Sequence, residues 1–250
     1  MQRLTDALPA SLSITVKSHI PSSIGLASSA AVFSCFAVAI AGLIKERREL
    51  TPKEISVIAR LGSGSAARSI FGGFAVVCAG EGDAIDSAYG EQVSDERHWP
   101  LHDIVIVFST QEKKVGSSEG HELAHTSPHF EARIGAIRTH RQRDCIDAIL
   151  ARDFEKLQHV SEEDCMDMHK VMQTSTPALH YLTADTYRVV KEVERWRKEQ
   201  HIPVLYTMDA GPTVHLFCPL EAVEGVRGFA RTQKDCTVFE TMAGPGASII

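Results

Sequence analysis

The sequence lacks three features that would place it in a specialised class of protein. None of its six cysteines lies in a C-x-x-C pair, which favours reduced thiols over a disulfide framework. The longest apolar run, residues 30–44, is too short to cross a bilayer, and no signal peptide is evident. Excess positive charge is also missing, since the formal net charge is −6. We therefore expect a cytoplasmic protein with neither nucleic acid nor membrane as a partner.

The composition that remains is that of an ordinary globular protein, with 44% hydrophobic and 23% charged residues in a chain of 250. Residues 80–100 are polar and rich in turn formers, so we predict a boundary between domains at residues 1–100 and 101–250. Predicted strands and helices alternate without a repeated βα unit, which indicates an α+β fold.

Periodicity and capping signals locate most of the elements. Leu12–Lys17 alternates apolar and polar residues, as a half-buried strand does, and Thr51-Pro-Lys-Glu54 is a capping box that begins a helix. Further predicted strands are 74–78, 104–108, 203–208, 213–218 and 237–241, and further helices are 28–49, 128–150, 153–173, 183–200 and 220–231.

The segment Pro21-Ser-Ser-Ile-Gly-Leu-Ala-Ser-Ser-Ala30 precedes the first long helix. Gly25 allows a tight turn, and Ser28 and Ser29 come where the helix should begin. A helix N-terminus presents unpaired N–H groups and the positive end of the helix dipole, which suits a phosphate. The pattern alone is equally compatible with an ordinary serine-capped core helix.

Three other stretches carry residues suited to anion chemistry. Leu61-Gly-Ser-Gly-Ser-Ala-Ala-Arg-Ser-Ile-Phe-Gly-Gly73 combines hydroxyls with Arg68, whose planar guanidinium can bind carboxylate or phosphate at two points; a plain surface loop is the alternative. Asp209 begins the Asp-Ala-Gly-Pro turn between two predicted strands, and an ordinary Asx turn would also explain it. Lys113-Lys-Val-Gly-Ser-Ser-Glu-Gly120 is a possible anion site or a solvated charged loop.

Two histidine patterns have simpler explanations. His121-Glu-Leu-Ala-His125 matches the H-E-x-x-H zinc signature but would occupy barely one helical turn, so we predict no metal site made of protein ligands. His169 lies among methionines at helical spacing, which a core-facing helix explains.

Together, the Pro21–Ala30, Leu61–Gly73 and Tyr206-Thr-Met-Asp-Ala-Gly-Pro212 segments resemble, in this order, the mevalonate diphosphate decarboxylase family of the GHMP kinase superfamily. The resemblance covers nearly the whole chain. It implies a two-domain GHMP-kinase-like α+β fold, ATP and Mg²⁺ as cofactors, a phosphorylated mevalonate as substrate, and a homodimer.

The resemblance also implies roles for particular residues. Arg68 would hold the carboxylate that leaves as carbon dioxide, and Asp209 would act on the 3-hydroxyl of the substrate, so both are expected to be catalytic. The residues expected to bind ATP are Gly25, Leu26, Ala27, Ser28 and Ser29, and those expected to bind substrate are Ser63, Gly64, Ser65, Arg68 and Ser117.

The family's N-terminal segment, with a lysine motif of the Ile-Lys-Tyr-Trp-Gly-Lys kind, has no counterpart in this sequence. A late gene start, a fragment and a shortened homologue are all compatible with this, and the N-terminal domain is expected to be truncated. Besides decarboxylation of mevalonate 5-diphosphate, three alternatives stay open: the 5-monophosphate as substrate, a mevalonate-type kinase, and a non-catalytic homologue.

Overall fold

The computed structural model describes residues 11–18, 26–82, 84–108 and 117–249. Their contacts divide the chain into two compact units. The first unit contains the described residues 11–18, 27–98 and 243–249, and the second contains residue 26 and the described part of 99–242. Residues 243–249 therefore group with the first unit, whereas the sequence assigned them to the second domain. The domain boundary at residue 100 stays a prediction.

In its described residues, the first unit combines two α-helices, a 3₁₀ helix and a two-stranded antiparallel sheet. The Thr51 side chain accepts the Glu54 N–H, and the Glu54 carboxylate accepts the Thr51 N–H, so the predicted capping box is confirmed. The elements are α1 (Ser28–Ile44), α2 (Pro52–Gly62), the 3₁₀ helix (Gly64–Ile70), β1 (Phe74–Cys78) and β2 (Tyr89–Ser94).

Alanines form the small core of the first unit. Ala30 and Ala37 of α1 are buried against Ala59 of α2 and Ala66 of the 3₁₀ helix. Side chains this small let the backbones of α1, α2 and the 3₁₀ helix approach closely. This packing brings the beginning of α1 next to the end of α2, where two of the predicted site segments lie.

A four-stranded antiparallel sheet in the order β4-β5-β3-β6 is the centre of the second unit. Its strands are β3 (Leu101–Val107), β4 (Leu205–Thr207), β5 (Val214–Pro219) and β6 (Thr237–Met242). Its helices are α3 (Ser117–Ala124), α4 (Phe130–Ala136), α5 (Gln142–Ala151), α6 (Phe154–Gln173), α7 (Ala184–Gln200) and α8 (Val223–Thr232), with a π-helical turn at Ile137–Arg141 and a 3₁₀ turn at Leu220–Ala222.

One face of this sheet carries the main hydrophobic core. Ile104, Ile106 and Leu216 of the sheet pack with Val189 and Val193 of α7, and all five are fully buried. The buried positions of α7 recur every three to four residues, as expected of an amphipathic helix that packs one face on the sheet.

Most of the predicted elements are confirmed; the exceptions are one predicted strand, one strand that was not predicted, and the helix α3, which begins at Ser117 where the sequence indicated a loop. Residues 11–18 contain no strand, and Leu12, Ile14 and Val16 are exposed, so the predicted strand Leu12–Lys17 is wrong. An alternating sequence forms a strand only where a sheet edge pairs with it, and in the described residues β1 pairs with β2 alone. The strand β2 lies in the polar stretch that the sequence indicated to be turns.

All six cysteines are free thiols, as expected. Within the described ranges, no helix combines the length and apolar character needed to cross a membrane.

Candidate active site

The first unit presents an open helix N-terminus at the predicted phosphate-binding segment. Ala27 adopts a left-handed conformation (φ 48°), and its carbonyl accepts the N–H groups of Ala30 and Ala31 at the start of α1. Ala27 has no polar side chain, and in the part of the chain that the structure describes no side-chain cap closes this end. The earlier N–H groups of the first turn, those of Ser28 and Ser29, therefore remain suited to an anion, favoured further by the helix dipole.

Serine hydroxyls connect this helix to the second predicted segment. The Oγ of Ser29 lies 3.2 Å from the Oγ of Ser63, and Ser63 Oγ lies 3.2 Å from Ser65 Oγ. Ser63 has an extended backbone (φ −156°) between α2 and the 3₁₀ helix, which turns its side chain towards α1. Three hydroxyls in series can each donate or accept, so they can hydrogen-bond a polyanionic ligand and one another at once.

Arg68 lies on the 3₁₀ helix beside these hydroxyls in sequence, and its side chain is exposed. It borders a cavity of about 320 Å³ in the first unit. The other residues that line the cavity are Ser69, Phe71, Gly73, Ala75 and Pro245. An exposed guanidinium at the mouth of a cavity can bind a carboxylate in a bidentate way.

The wall that contains Pro245 is one that sequence reasoning missed. The Ser69 carbonyl accepts the Ala247 N–H at 3.0 Å, and the Gly244 carbonyl accepts the Gly73 N–H at 2.9 Å. A Cβ on Gly246 would lie 2.3 Å from the Ile70 carbonyl oxygen, so only glycine allows this close approach. The Gly244-Pro-Gly246 run signals a turn, but nothing local indicates which part of the chain it contacts.

Within the described residues, the structure shows no side-chain hydrogen bond between the other predicted binding residues and the three linked serines or Arg68. Leu26 packs against Val105 and Val107 in the second unit. Gly64 is exposed at the start of the 3₁₀ helix. Ser117 is the first residue of α3, although its side chain lies outside what the structure describes, and Gly25 lies outside the described residues altogether.

Asp209 lies in the second unit, two residues after the end of β4, and its side chain is exposed. The Gly211 N–H donates to the Asp209 carbonyl at 2.8 Å, which closes the predicted turn. Beyond the turn, the Thr186 hydroxyl donates to the Pro212 carbonyl at 3.2 Å, and Thr213 is fully buried. The turn is thus anchored after Asp209, while the carboxylate itself faces outward and can meet a ligand.

The residue before Asp209 is held by α6. Met208 is buried, and its N–H donates to the Cys165 Sγ at 3.2 Å while its carbonyl lies 3.3 Å from His169 Nε2. Sequence reasoning assigned His169 to the core and did not connect it with Asp209. Its helical spacing from Cys165 is visible in the sequence, but its partner is 39 residues away.

The zinc interpretation of His121 and His125 gains no support. The structure has His121 in the last turn of α3 and His125 after it. Among the residues that the structure describes, no group of three or more His, Cys, Asp or Glu side chains is arranged to hold a metal ion.

The architecture and the hydroxyl cluster at a helix N-terminus define a GHMP-kinase-like α+β protein. Residues 103–240 match the family described as mevalonate 5-diphosphate decarboxylase C-terminal domain, and residues 1–89 match the diphosphomevalonate decarboxylase-like N-terminal domain. The chain belongs to the mevalonate diphosphate decarboxylase family.

Individual relatives agree with this assignment. The chain is 34% identical to the diphosphomevalonate decarboxylase of Danio rerio over 84% of its own length and 33% identical to that of Homo sapiens over 85%. The mevalonate diphosphate decarboxylase structure from Staphylococcus aureus is 30% identical with a TM-score of 0.83, and covers 92% of this chain and 69% of its own.

A structure described as "MDDEF in complex with MVAPP, AMPPCP and Magnesium" is 29% identical, with a TM-score of 0.80, over 91% of this chain and 68% of its own. The chain spans about half the length of the curated relatives it matches, 53% for Danio rerio and 54% for Homo sapiens.

Proposed function

We propose that this chain carries out the ATP-dependent decarboxylation of mevalonate 5-diphosphate to isopentenyl diphosphate. One observation carries the proposal beyond family membership: the contact between Ser29 and Ser63 joins the segment expected to bind ATP with the segment expected to bind the substrate. Phosphoryl transfer requires donor and acceptor side by side, because positioning and charge stabilisation supply most of its catalysis.

The residues at the start of α1 fit ATP and Mg²⁺. The first turn of α1 offers N–H donors for phosphate oxygens, and the hydroxyls of Ser28 and Ser29 can hydrogen-bond the phosphates or the water molecules that Mg²⁺ retains. Gly25, Leu26 and Ala27 would supply the backbone that approaches the nucleotide. When bound, Mg²⁺ would neutralise charge on the phosphates.

The substrate would lie against Ser63, Gly64, Ser65 and Arg68, with Ser117 as a further contact. Arg68 would pair with the carboxylate of the substrate, supported by its exposure at the mouth of a cavity. The fixed fork of the guanidinium would orient the carboxylate so that its bond to the neighbouring carbon can break.

Asp209 would act on the 3-hydroxyl. Its exposed carboxylate can orient this hydroxyl or accept its proton as the oxygen attacks the γ-phosphorus of ATP. The C3–O bond then breaks with loss of phosphate. The bond to the carboxylate also breaks, carbon dioxide leaves, and the electron pair of that bond forms the double bond of the product.

We further propose a cytoplasmic location and a homodimer. Six free thiols support a reducing compartment, and the dimer is proposed from the family resemblance. No nucleic-acid or membrane partner is proposed.

The test is ADP release from Mg-ATP with mevalonate 5-diphosphate, the 5-monophosphate and mevalonate as separate substrates. We expect the highest kcat/KM with the 5-diphosphate, and loss of turnover in Arg68→Ala and Asp209→Asn without loss of folding. Preference for the 5-monophosphate would correct the substrate, and unchanged turnover in either variant would overturn the proposed roles.

A further inference from the structure

The outer edge of β4 is covered by side chains instead of by another strand. β4 is the first strand of the sheet, so alternate backbone groups along it face away from β5. Such groups cost free energy if they are buried without partners. Side chains of α6 and α7 provide these partners. Arg197 donates to the Val204 carbonyl at 2.8 Å, Glu162 accepts the Tyr206 N–H at 3.2 Å, and the Cys165 Sγ accepts the Met208 N–H at 3.2 Å.

The α6 residues of this row come at helical spacing. Glu162, Cys165 and His169 are three and four residues apart, so they share one face of the helix. His169 extends the row to the last carbonyl before the turn, with Nε2 at 3.3 Å from the Met208 oxygen. A carbonyl only accepts, so Nε2 carries the proton and donates.

Burial keeps this imidazole neutral. His169 is 1% exposed, and desolvation is the main cause that lowers its pKa to about 4; Arg133 lowers it further, while the Met208 carbonyl and Asp209 oppose the shift. The neutral ring with Nε2–H is therefore the form present near neutral pH.

We propose that His169 and Cys165 are positioning residues for Asp209: together they hold both backbone polar groups of Met208 and thereby fix the peptide that leads into the Asp209 turn. The proposal rests on the proposed function for the role of Asp209. The Asp209 side chain is exposed, whereas Met208 before it is buried and has both its N–H and its carbonyl hydrogen-bonded. The backbone that enters the turn is therefore fixed while the carboxylate stays accessible. The Cys165 thiol also donates to the Met208 carbonyl, at 3.6 Å, so loss of the His169 bond leaves this longer contact and lets the Asp209 carboxylate shift its position.

The first test reads the turn itself and needs no activity. Amide hydrogen exchange at Met208 and Gly211 is measured in the full chain for three variants. His169→Met removes the donor at similar volume, and His169→Gln retains an N–H donor. Val171→Ala is the matched control, because Val171 is equally buried on α6 but belongs to a different cluster.

We expect exchange at these two amides to rise about tenfold in His169→Met. We expect it to stay within about threefold of wild type in His169→Gln and Val171→Ala. An equal rise in all three variants would mean that His169 only stabilises the fold and would overturn the proposal.

The second test is kinetic, with activity normalised to folded protein. His169→Met should lower kcat about tenfold with little change in KM, and His169→Gln should recover most of the loss. In an Asp209→Asn background the same His169→Met change should have no further effect on the residual rate. If His169→Met lowers kcat about tenfold in that background as well, the proposal that His169 acts through Asp209 is overturned. If the wild-type chain shows no turnover, the proposed function fails, while the exchange result still decides whether His169 orders the turn.

Discussion

The hydroxyl oxygens of Ser29 and Ser63 lie 3.2 Å apart, although 34 residues separate them in the sequence. The contact depends on the alanines that bring α1 and α2 together, among them Ala30 and Ala59. A side chain larger than alanine at those positions would separate the two hydroxyls. The small core of the first unit therefore determines the geometry of the candidate site.

We expect Ser29→Ala and Ser63→Ala each to lower kcat/KM about tenfold, since each hydroxyl serves a ligand as well as its neighbour. Because the two hydroxyls share one contact, the fold loss of kcat/KM in the double variant should be smaller than the product of the two single losses. This corresponds to a coupling free energy of about 0.5–1.5 kcal/mol. A double-mutant cycle measures this, with Ser161→Ala in the second unit as the neutral control. Strictly multiplicative losses would show that the contact has no functional consequence.

Arg68→Lys keeps the positive charge but loses the planar fork. We expect kcat/KM to fall about tenfold or more, with unchanged thermal unfolding, because Arg68 is exposed and a lysine cannot bind a carboxylate at two points. Arg97→Lys is the matched control, since Arg97 is an exposed arginine of the same unit paired with Asp95. Full activity in Arg68→Lys would contradict bidentate binding.

Arg197 pairs with the buried carboxylate of Glu162 through both terminal nitrogens, at 2.6 and 3.0 Å. Arg197→Met should reduce the free energy of unfolding by about 3 kcal/mol, because the buried carboxylate of Glu162 loses its cation and, among the residues that the structure describes, retains only the Tyr206 N–H and the Gln158 amide as donors. Urea unfolding measures the change. The control Arg195→Met, on the exposed side of α7, should cost less than about 0.5 kcal/mol. Equal effects of the two changes would disprove the buried-pair account.

The lowered pKa of His169 makes a prediction for stability against pH. A histidine whose pKa is about 4 when folded and 6.5 when unfolded binds more protons in the unfolded chain between these values. Its neutral form therefore stabilises the fold above pH 6.5, and this contribution is lost as the pH falls towards 4, by about 3 kcal/mol in total. The unfolding free energy of wild type minus that of His169→Gln should therefore decrease as the pH falls from 6.5 to 4. A difference that stays constant over this range would refute the burial of a neutral ring.

Local signals were sufficient for much of the fold. The Thr51–Glu54 capping box, the helix begun by Thr183 and the strand pair on either side of Asp209 are all encoded within a few residues. In the candidate site, the same holds for Ser63, Ser65 and Arg68, because they lie in one continuous stretch of sequence, whereas the contact of Ser63 with Ser29 spans 34 residues.

What could not be predicted depends on distant pairing. The strand β2 exists because Tyr89–Ser94 pairs with β1, and its polar sequence does not indicate this. The exposed segment that contains Leu12 has the alternation of a strand but no described partner. Likewise, Pro245 and His169 reach the sites through contacts made far along the chain, for which local periodicity carries no information.

The most direct test of the central claim is the ratio of carbon dioxide to ADP released by this chain from Mg-ATP and mevalonate 5-diphosphate in one reaction. The account predicts equal amounts of the two products, with both falling together to a small residual rate in Asp209→Asn. ADP without carbon dioxide would contradict it and indicate a kinase, and neither product from a folded sample would contradict the assignment of activity to this chain.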